Sequence, residues 1–377
     1  MPVRVLFSST TGVGHVFPML QLARAFLDRG HEVLWATGAD ALPLVERDGI
    51  PVAACGPTGP ELGQLRGSVL GPASELPGAE RAAYVFPRMF GAALAPPMAA
   101  DLLPLGQEWR PDLLVHENGE LASPLVGAVL GVPSLTHAFG GAVPAPFLAD
   151  AGERLTPMWA DQGLEVPPYA GCFESVYLDI CPASVQAVPI DHIGDIQPVR
   201  PVVAGARVPS QPSLVYVTMG TVQNRALDLG PLVAAVAALP VEVLVAVGEN
   251  GETDLGDQPA NVRIERWVDQ TQVLTTAAAV VSHGGSGTFL GALAQAVPQL
   301  CLPQAADQFR NAEGGTRAGA ALALRPDQIT PEAVATALAG LLDDGTIRAG
   351  AQRVAAEIAA MPSPDDVVTG LVERYGA

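Results

Sequence analysis

Residues 3–7 form a short β-branched and aromatic run, a small polar loop occupies 8–14, and Val16, Met19, Leu20, Ala23 and Leu27 then recur at helical spacing. Gly30 is placed to end that helix, and 32–37 reads as the next strand. A strand, a helix with one apolar face and a second strand make a β-α-β unit, so the first sheet is expected to be parallel. The alternation resumes with strands at 113–116 and 134–136 and a helical stretch at 123–130 between them. Two segments interrupt it, 56–106 and 140–174. Both are rich in Pro and small residues, yet they carry Tyr84, Phe86, Met89 and Phe90 in one and Phe147, Met158, Trp159, Tyr169 and Phe173 in the other. They read as loops and helices that line a pocket.

A second series follows. Strands are expected at 214–218, 241–247, 262–265, 280–282, 300–302 and 321–324, with helices such as 232–239 and 288–296 among them. The Pro-rich stretch 198–212 has little helical or strand character and divides the series. The expected fold class is therefore α/β, with a first domain over 1–199, a linker at 200–212, a second domain over 213–360, and a C-terminal helix at 361–377 that packs back on the first domain.

Composition sharpens this picture. A chain of 377 residues suits two cores of roughly 150 to 200 residues each. Residues are 49% hydrophobic and 16% charged, and no uninterrupted apolar run approaches the ~18 residues of a membrane span. A net charge of -19 disfavours nucleic acid or an anionic membrane as partner, so any nucleotide must be held locally by backbone amides and helix termini. All 20 basic residues are arginine, which excludes Schiff-base, P-loop and acid/base chemistry by lysine. Cys55, Cys172, Cys181 and Cys301 follow no metal-ligand spacing and read as buried thiols. The chain enters a strand at once with no signal-peptide pattern, so a cytoplasmic location is expected.

The strongest chemical signal lies near the C-terminus: Trp267-Val268, then Ser-His-Gly-Gly-Ser-Gly-Thr over 282–288, then Pro-Gln-Ala-Ala-Asp-Gln over 303–308 and Asn311. A strand ends at Ser282, glycines let the backbone approach a ligand, and Ser286, Gly287 and Thr288 open a helix with outward amides. That is an anion site. His283 adds a hydrogen bond, Asp307 and Gln308 suit sugar hydroxyls, and Trp267 offers a flat face for a nucleobase. Each piece alone is more often a tight turn or a core residue; together they form a base, phosphate and sugar series.

The stretch from Trp267 to Glu313 closely resembles the donor-binding signature of the GT-B superfamily, in the branch that glycosylates bacterial antibiotics and polyketides. The similarity extends to STTGVGHVFPMLQLARAFLDRGHEV, to LDICPASVQ and to YVTMGTV. The resemblance implies two doubly wound Rossmann-like domains facing across a cleft, and an inverting, metal-independent transfer of a sugar, often a deoxysugar, from a dTDP or UDP donor to a small hydrophobic acceptor. It assigns Trp267 and Val268 to the base, and Gly220, Thr221, His283, Gly285, Ser286, Gly287 and Thr288 to the diphosphate. Asp307 and Gln308 take the sugar. No Asp-x-Asp pair for a metal is present, in keeping with a helix dipole at that place.

On the same resemblance His15, at the first strand-to-helix turn, is the general base, and Glu117 is its carboxylate partner where relatives usually carry Asp. The alternative for His15 is a helix-capping or buried histidine, and for Glu117 a solvated loop acid. His116, one strand position earlier, should face the opposite way. His31, His137 and His192 read as structural, with His137 nearest the acceptor loops. Phe86, Met89, Phe90, Phe139 and Trp159 are expected in an acceptor pocket, although they would also suit a core. The sequence leaves the oligomeric state open, a homodimer among the alternatives. Two rivals share the architecture: an NDP-sugar epimerase or lipid-linked-sugar transferase, and a non-catalytic auxiliary protein that activates a partner transferase.

Overall fold

The computed structural model describes residues 2–76, 78–201, 207–208, 213–220, 227–248 and 251–376. It divides into two compact units. Unit 1 comprises Met1–Ile180, Val188–Arg200 and Pro362–Ala377; unit 2 comprises Cys181–Ala187 and Pro201–Met361. Most of the stretch read as a linker lies outside the described residues.

In unit 1 the strands are β1 (Arg4–Ser8), β2 (Glu32–Thr37), β3 (Val52–Ala54), β4 (Leu113–Glu117), β5 (Ser134–His137), β6 (Tyr177–Asp179) and β7 (Ile196–Pro198). Its helices are α1 (Val13–Asp28), α2 (Leu42–Glu46), α3 (Gly59–Ala73), α4 (Gly78–Phe86), α5 (Ala95–Trp109), α6 (Ser123–Leu130) and α7 (Ala145–Ala160). The sheet runs β3-β2-β1-β4-β5-β6-β7, parallel throughout. Strand order reverses between β1 and β4, and at such a switch point the flanking helices leave to opposite faces and open a crevice at the strand carboxyl ends.

Unit 2 repeats the plan. Its elements in chain order are β8 (Leu214–Thr218), α8 (Leu229–Ala237), β9 (Glu242–Ala246), β10 (Val262–Glu265), α9 (Gln270–Thr276), β11 (Ala277–Ser282), α10 (Ser286–Ala294), β12 (Gln299–Cys301), α11 (Gln308–Arg317), β13 (Ala321–Ala323), α12 (Pro331–Asp343) and α13 (Gly345–Ala360). The parallel sheet is ordered β10-β9-β8-β11-β12-β13, with its switch point between β8 and β11.

Burial follows the strand pattern. Phe7 and Trp35 are fully buried and stack at 5.4 Å, and the Trp35 indole N–H donates to Ser9 Oγ at 3.1 Å, so the large ring enters the core without an unsatisfied donor. In unit 2 the valines of β8, β9 and β11 pack against the apolar faces of α8 and α12. The last helix, α14 (Pro364–Tyr375), starts at a Ser363–Asp366 capping box, packs on α1 and pairs Arg374 with Asp195 at 2.6 Å. All of these partners lie in unit 1.

Three strands, β3, β6 and β7, were not expected. Their residues, Val-Ala-Ala, Tyr-Leu-Asp and Ile-Gln-Pro, include Ala, Asp and Pro, which are poor strand formers. The segment 56–106 is more helical than its composition suggests: residues 87–94 form a π-helical stretch between α4 and α5, and the run Glu80–Trp109 is one helix of 30 residues. The run reaches a mean hydropathy of 1.2 over its most apolar 18-residue window, so by length and composition alone it is long and apolar enough to cross a membrane, as buried core helices also are. Prolines and arginines interrupt it in sequence but not in the helix. Of that window 44% is buried inside the protein, against α3 and α7 among others.

Candidate active site

Unit 1 places its chemistry at the switch point. His15 lies in the first turn of α1, just after β1, and Glu117 is the last residue of β4, the strand hydrogen-bonded to β1. Their side chains meet, with His15 Nδ1 3.0 Å from Glu117 Oε1. The carboxylate is fully buried and the imidazole is 26% exposed, so the pair has one face open. Burial by itself would raise the Glu117 pKa, but the charge and hydrogen bond of His15, the Gly119 amide and the Thr10 side chain outweigh it, and the net shift is downward. Glu117 therefore stays ionised and faces His15 Nδ1, an arrangement that favours a proton on that nitrogen.

Apolar rings surround the histidine. Phe90 lies 5.6 Å and Phe139 5.3 Å from the His15 ring, and Phe86 packs on Phe90 at 4.9 Å. Met89 is instead buried with Leu62, Val69 and Leu94, and Trp159 sits in the core against Leu148 and Leu155. His116 faces away, as its strand position demands, and meets Thr136 Oγ1 at 3.0 Å. Glu120, which sequence reasoning passed over, is buried and accepts from the Ser8 hydroxyl and the amides of Ala122 and Ser123, thereby capping α6. A small, open pocket adjoins, lined by Thr10, Gly119 and Glu120 together with Leu62, Leu94 and Met98.

His137 ends β5 beside Glu117, and its buried ring bonds the Ala138 carbonyl at 2.6 Å. Burial lowers its pKa to about 4. In the unfolded chain the ring takes a proton near pH 6.5, so native stability is lost as pH falls from 6.5 towards 4, by up to about 3 kcal/mol. Urea unfolding of the wild type and of His137→Asn at pH 7.5 and 4.5 should show the variant losing less on acidification; equal losses would remove this assignment.

Unit 2 places Gly220 and His283 at its own switch point. Gly220 follows β8 and His283 follows β11, the adjacent strand. A Cβ on Gly220 would lie 2.7 Å from the His283 ring, and one on Gly285 would lie 2.4 Å from its Nε2, so the imidazole lies between two glycines. Gly220 also has φ +74, which disfavours any side chain. Burial lowers the His283 pKa against the opposing pull of Asp307 and the Thr218 carbonyl, so the ring is neutral near pH 7. Thr221 lies outside the described residues.

Helix α10 opens at Gly285, and its first amides, from Ser286, Gly287 and Thr288, have no acceptor within the helix. The hydroxyls here are engaged elsewhere: Ser286 Oγ donates to Asp307 Oδ2 at 2.6 Å, and Thr288 Oγ1 to Gln270 Oε1 at 2.8 Å. Backbone amides, not side chains, are what these residues offer an anion. Asn311, on α11, donates to the Gly284 carbonyl at 2.9 Å, Ser286 Oγ at 3.1 Å and Asp307 Oδ2 at 3.0 Å, and so ties the two loops together. Its signal was its place one helical turn beyond Asp307. Gln308 is buried, and its Oε1 accepts from the amides of Gln304 and Ala305, which shapes the loop before α11. Trp267 is 63% exposed just after β10, whereas Val268 packs against the core beneath. A large ring left in water at a strand end is suited to stacking.

Comparison with known proteins adds the following. A family model described as erythromycin biosynthesis protein CIII-like, C-terminal domain, matches residues 231–374. The chain is 35% identical to L-demethylnoviosyl transferase of Streptomyces niveus, over 98% of this chain and 97% of that protein. It is also 35% identical to the elloramycin glycosyltransferase of Streptomyces olivaceus, over 99% and 98%. Among solved structures, the Streptomyces sp. SF2575 glycosyltransferase SsfS6 complexed with thymidine diphosphate superposes with a TM-score of 0.77 at 27% identity, covering 99% of each chain.

Proposed function

This chain belongs to the GT-B natural-product glycosyltransferases, and from that premise we propose that it transfers a deoxysugar from a dTDP or UDP donor to a hydroxyl of a small apolar antibiotic or polyketide aglycone. The observation that carries the proposal is the His15–Glu117 pair, with one face of the imidazole open beside Phe90 and Phe139. An aliphatic alcohol is too weak an acid to attack unaided. His15 Nε2 takes its proton as the oxygen bonds to the anomeric carbon, and Glu117 stabilises the imidazolium through Nδ1–H.

The anomeric carbon–oxygen bond to the diphosphate breaks in the same displacement, and the departing charge is held by the amides that open α10 and by the neutral His283 N–H. Attack from the face opposite the leaving group inverts the anomeric centre, so an α-linked donor gives a β-glycoside. Trp267 stacks on the base, Val268 binds it through its backbone, and Asp307 and Gln308 bind the sugar hydroxyls. The names of the curated relatives support an antibiotic aglycone as acceptor, and the thymidine diphosphate complex supports a dTDP donor.

Calorimetric titration with thymidine diphosphate and uridine diphosphate tests the donor half. Wild type should bind one of them, and Trp267→Ala should bind it about 10-fold more weakly, in line with a base-stacking contribution of ~1–3 kcal/mol. Products from a screen of aromatic polyketide aglycones should show inverted configuration by NMR. Binding of neither nucleotide, or a retained configuration, would overturn the proposal.

A further inference from the structure

Glu117 has three side-chain torsions to fix before its carboxylate can direct His15, and fixing each costs conformational entropy. The structure supplies what fixes them. Oε1, the oxygen that meets His15 Nδ1 at 3.0 Å, also accepts from the Thr10 hydroxyl at 2.8 Å and from the Thr10 amide at 3.2 Å. Oε2 accepts from the Gly119 amide. A Cβ on Gly119 would lie 3.1 Å from Oε2 and 2.9 Å from the Phe90 ring, so the turn after β4 closes on the carboxylate only because that residue is glycine. The cradle is built from two chain segments, the loop after β1 and the turn after β4, which flank the switch point.

We propose that Thr10 is a positioning residue for the transfer reaction: its hydroxyl fixes the Glu117 carboxylate so that Oε1 receives the His15 Nδ1–H and the opposite ring nitrogen stays directed at the acceptor. This rests on the reading of His15 as general base. Thr10 itself touches neither substrate nor the reacting atoms in this role. It acts through Glu117, and through Glu117 on the imidazole.

Thr10→Val is nearly isosteric and keeps the amide bond to Oε1, so it removes the hydroxyl alone. It is expected to lower kcat about 5- to 50-fold, the range set by one hydrogen bond to a charged group only partly expressed in the barrier. The KM for the nucleotide sugar should stay within about 2-fold, because the donor series lies in unit 2. Thr10→Ser, which keeps the hydroxyl, should recover turnover to within about 3-fold of wild type. On a His15→Ala background Thr10→Val should add no further loss, since there is no imidazole left to orient. Undiminished kcat in Thr10→Val, or failure of Ser to restore it, would overturn the positioning role while leaving the His15 reading intact. Full turnover by His15→Ala alone would remove the base, and this role with it.

Discussion

Replacing His15 with alanine is expected to lower turnover of an alcohol acceptor about 100- to 10,000-fold, the usual contribution of a positioned general base. The expectation rests on three features. The imidazole lies 3.0 Å from a fully buried carboxylate, one face of it is open, and two phenyl rings limit what else can occupy that face. Glu117 stays ionised because the groups around it outweigh its burial. The loss should fall on kcat, and thymidine diphosphate should bind His15→Ala as tightly as wild type, because the groups assigned to the nucleotide belong to unit 2. Small anions such as azide, which need no deprotonation, should escape most of the loss when offered as acceptor. A variant that turns over alcohols at the wild-type rate would exclude His15 from proton transfer.

Gly285→Ala should weaken nucleoside diphosphate binding about 10- to 100-fold, the scale of one lost hydrogen bond to a charged group. The backbone there has φ -63 and ψ 143, which alanine adopts freely, so strain is not the cause. The cause is steric. The new methyl would sit 2.4 Å from His283 Nε2, and Gly220 closes the other side of the ring, so the imidazole must leave its place. Titration of His283→Ala and of the double variant provides the control: if Gly285→Ala acts by displacing the ring, the two losses will not add. Additive losses, or unchanged affinity in Gly285→Ala, would show that His283 does not serve the diphosphate.

The two alternating series of strands and helices were legible because each element carries its own period. Boundaries were close for elements with a clear pattern, such as β8 at Leu214–Thr218, whereas β3, β6 and β7, each with Ala, Asp or Pro among its three residues, gave no strand signal. The glycine-rich turn at 283–287 announced a helix opening with outward amides through backbone chemistry that is local to it. The extent of the helices in 56–106 was obscured because prolines sit both at their first turns and inside them, so composition alone read as loops mixed with helices.

Side-chain roles divided along the same line. From sequence, Ser286 and Thr288 contribute outward amides at a helix opening, and only the fold reveals their hydroxyls bonded to Asp307 and Gln270. Met89 and Trp159 looked like pocket residues, and the fold packs both in cores. Thr10, Gly119 and Gln270 drew no notice because nothing about a threonine, a glycine or an amide marks it until its partner is known.

What the chain specified unaided was its inventory: two α/β halves, an acidic and lysine-free surface chemistry, and a helix opening suited to anions, all written in periods of two and 3.6 residues and in local turn chemistry. Which inventory members meet was decided by strand order. β1 and β4 are neighbours only because the chain crosses over between them, and that crossover sets His15 against Glu117 and closes Thr10 and Gly119 around the carboxylate. Periodicity carries information over one or two turns of chain, whereas contacts between strand ends depend on the packing of the whole sheet.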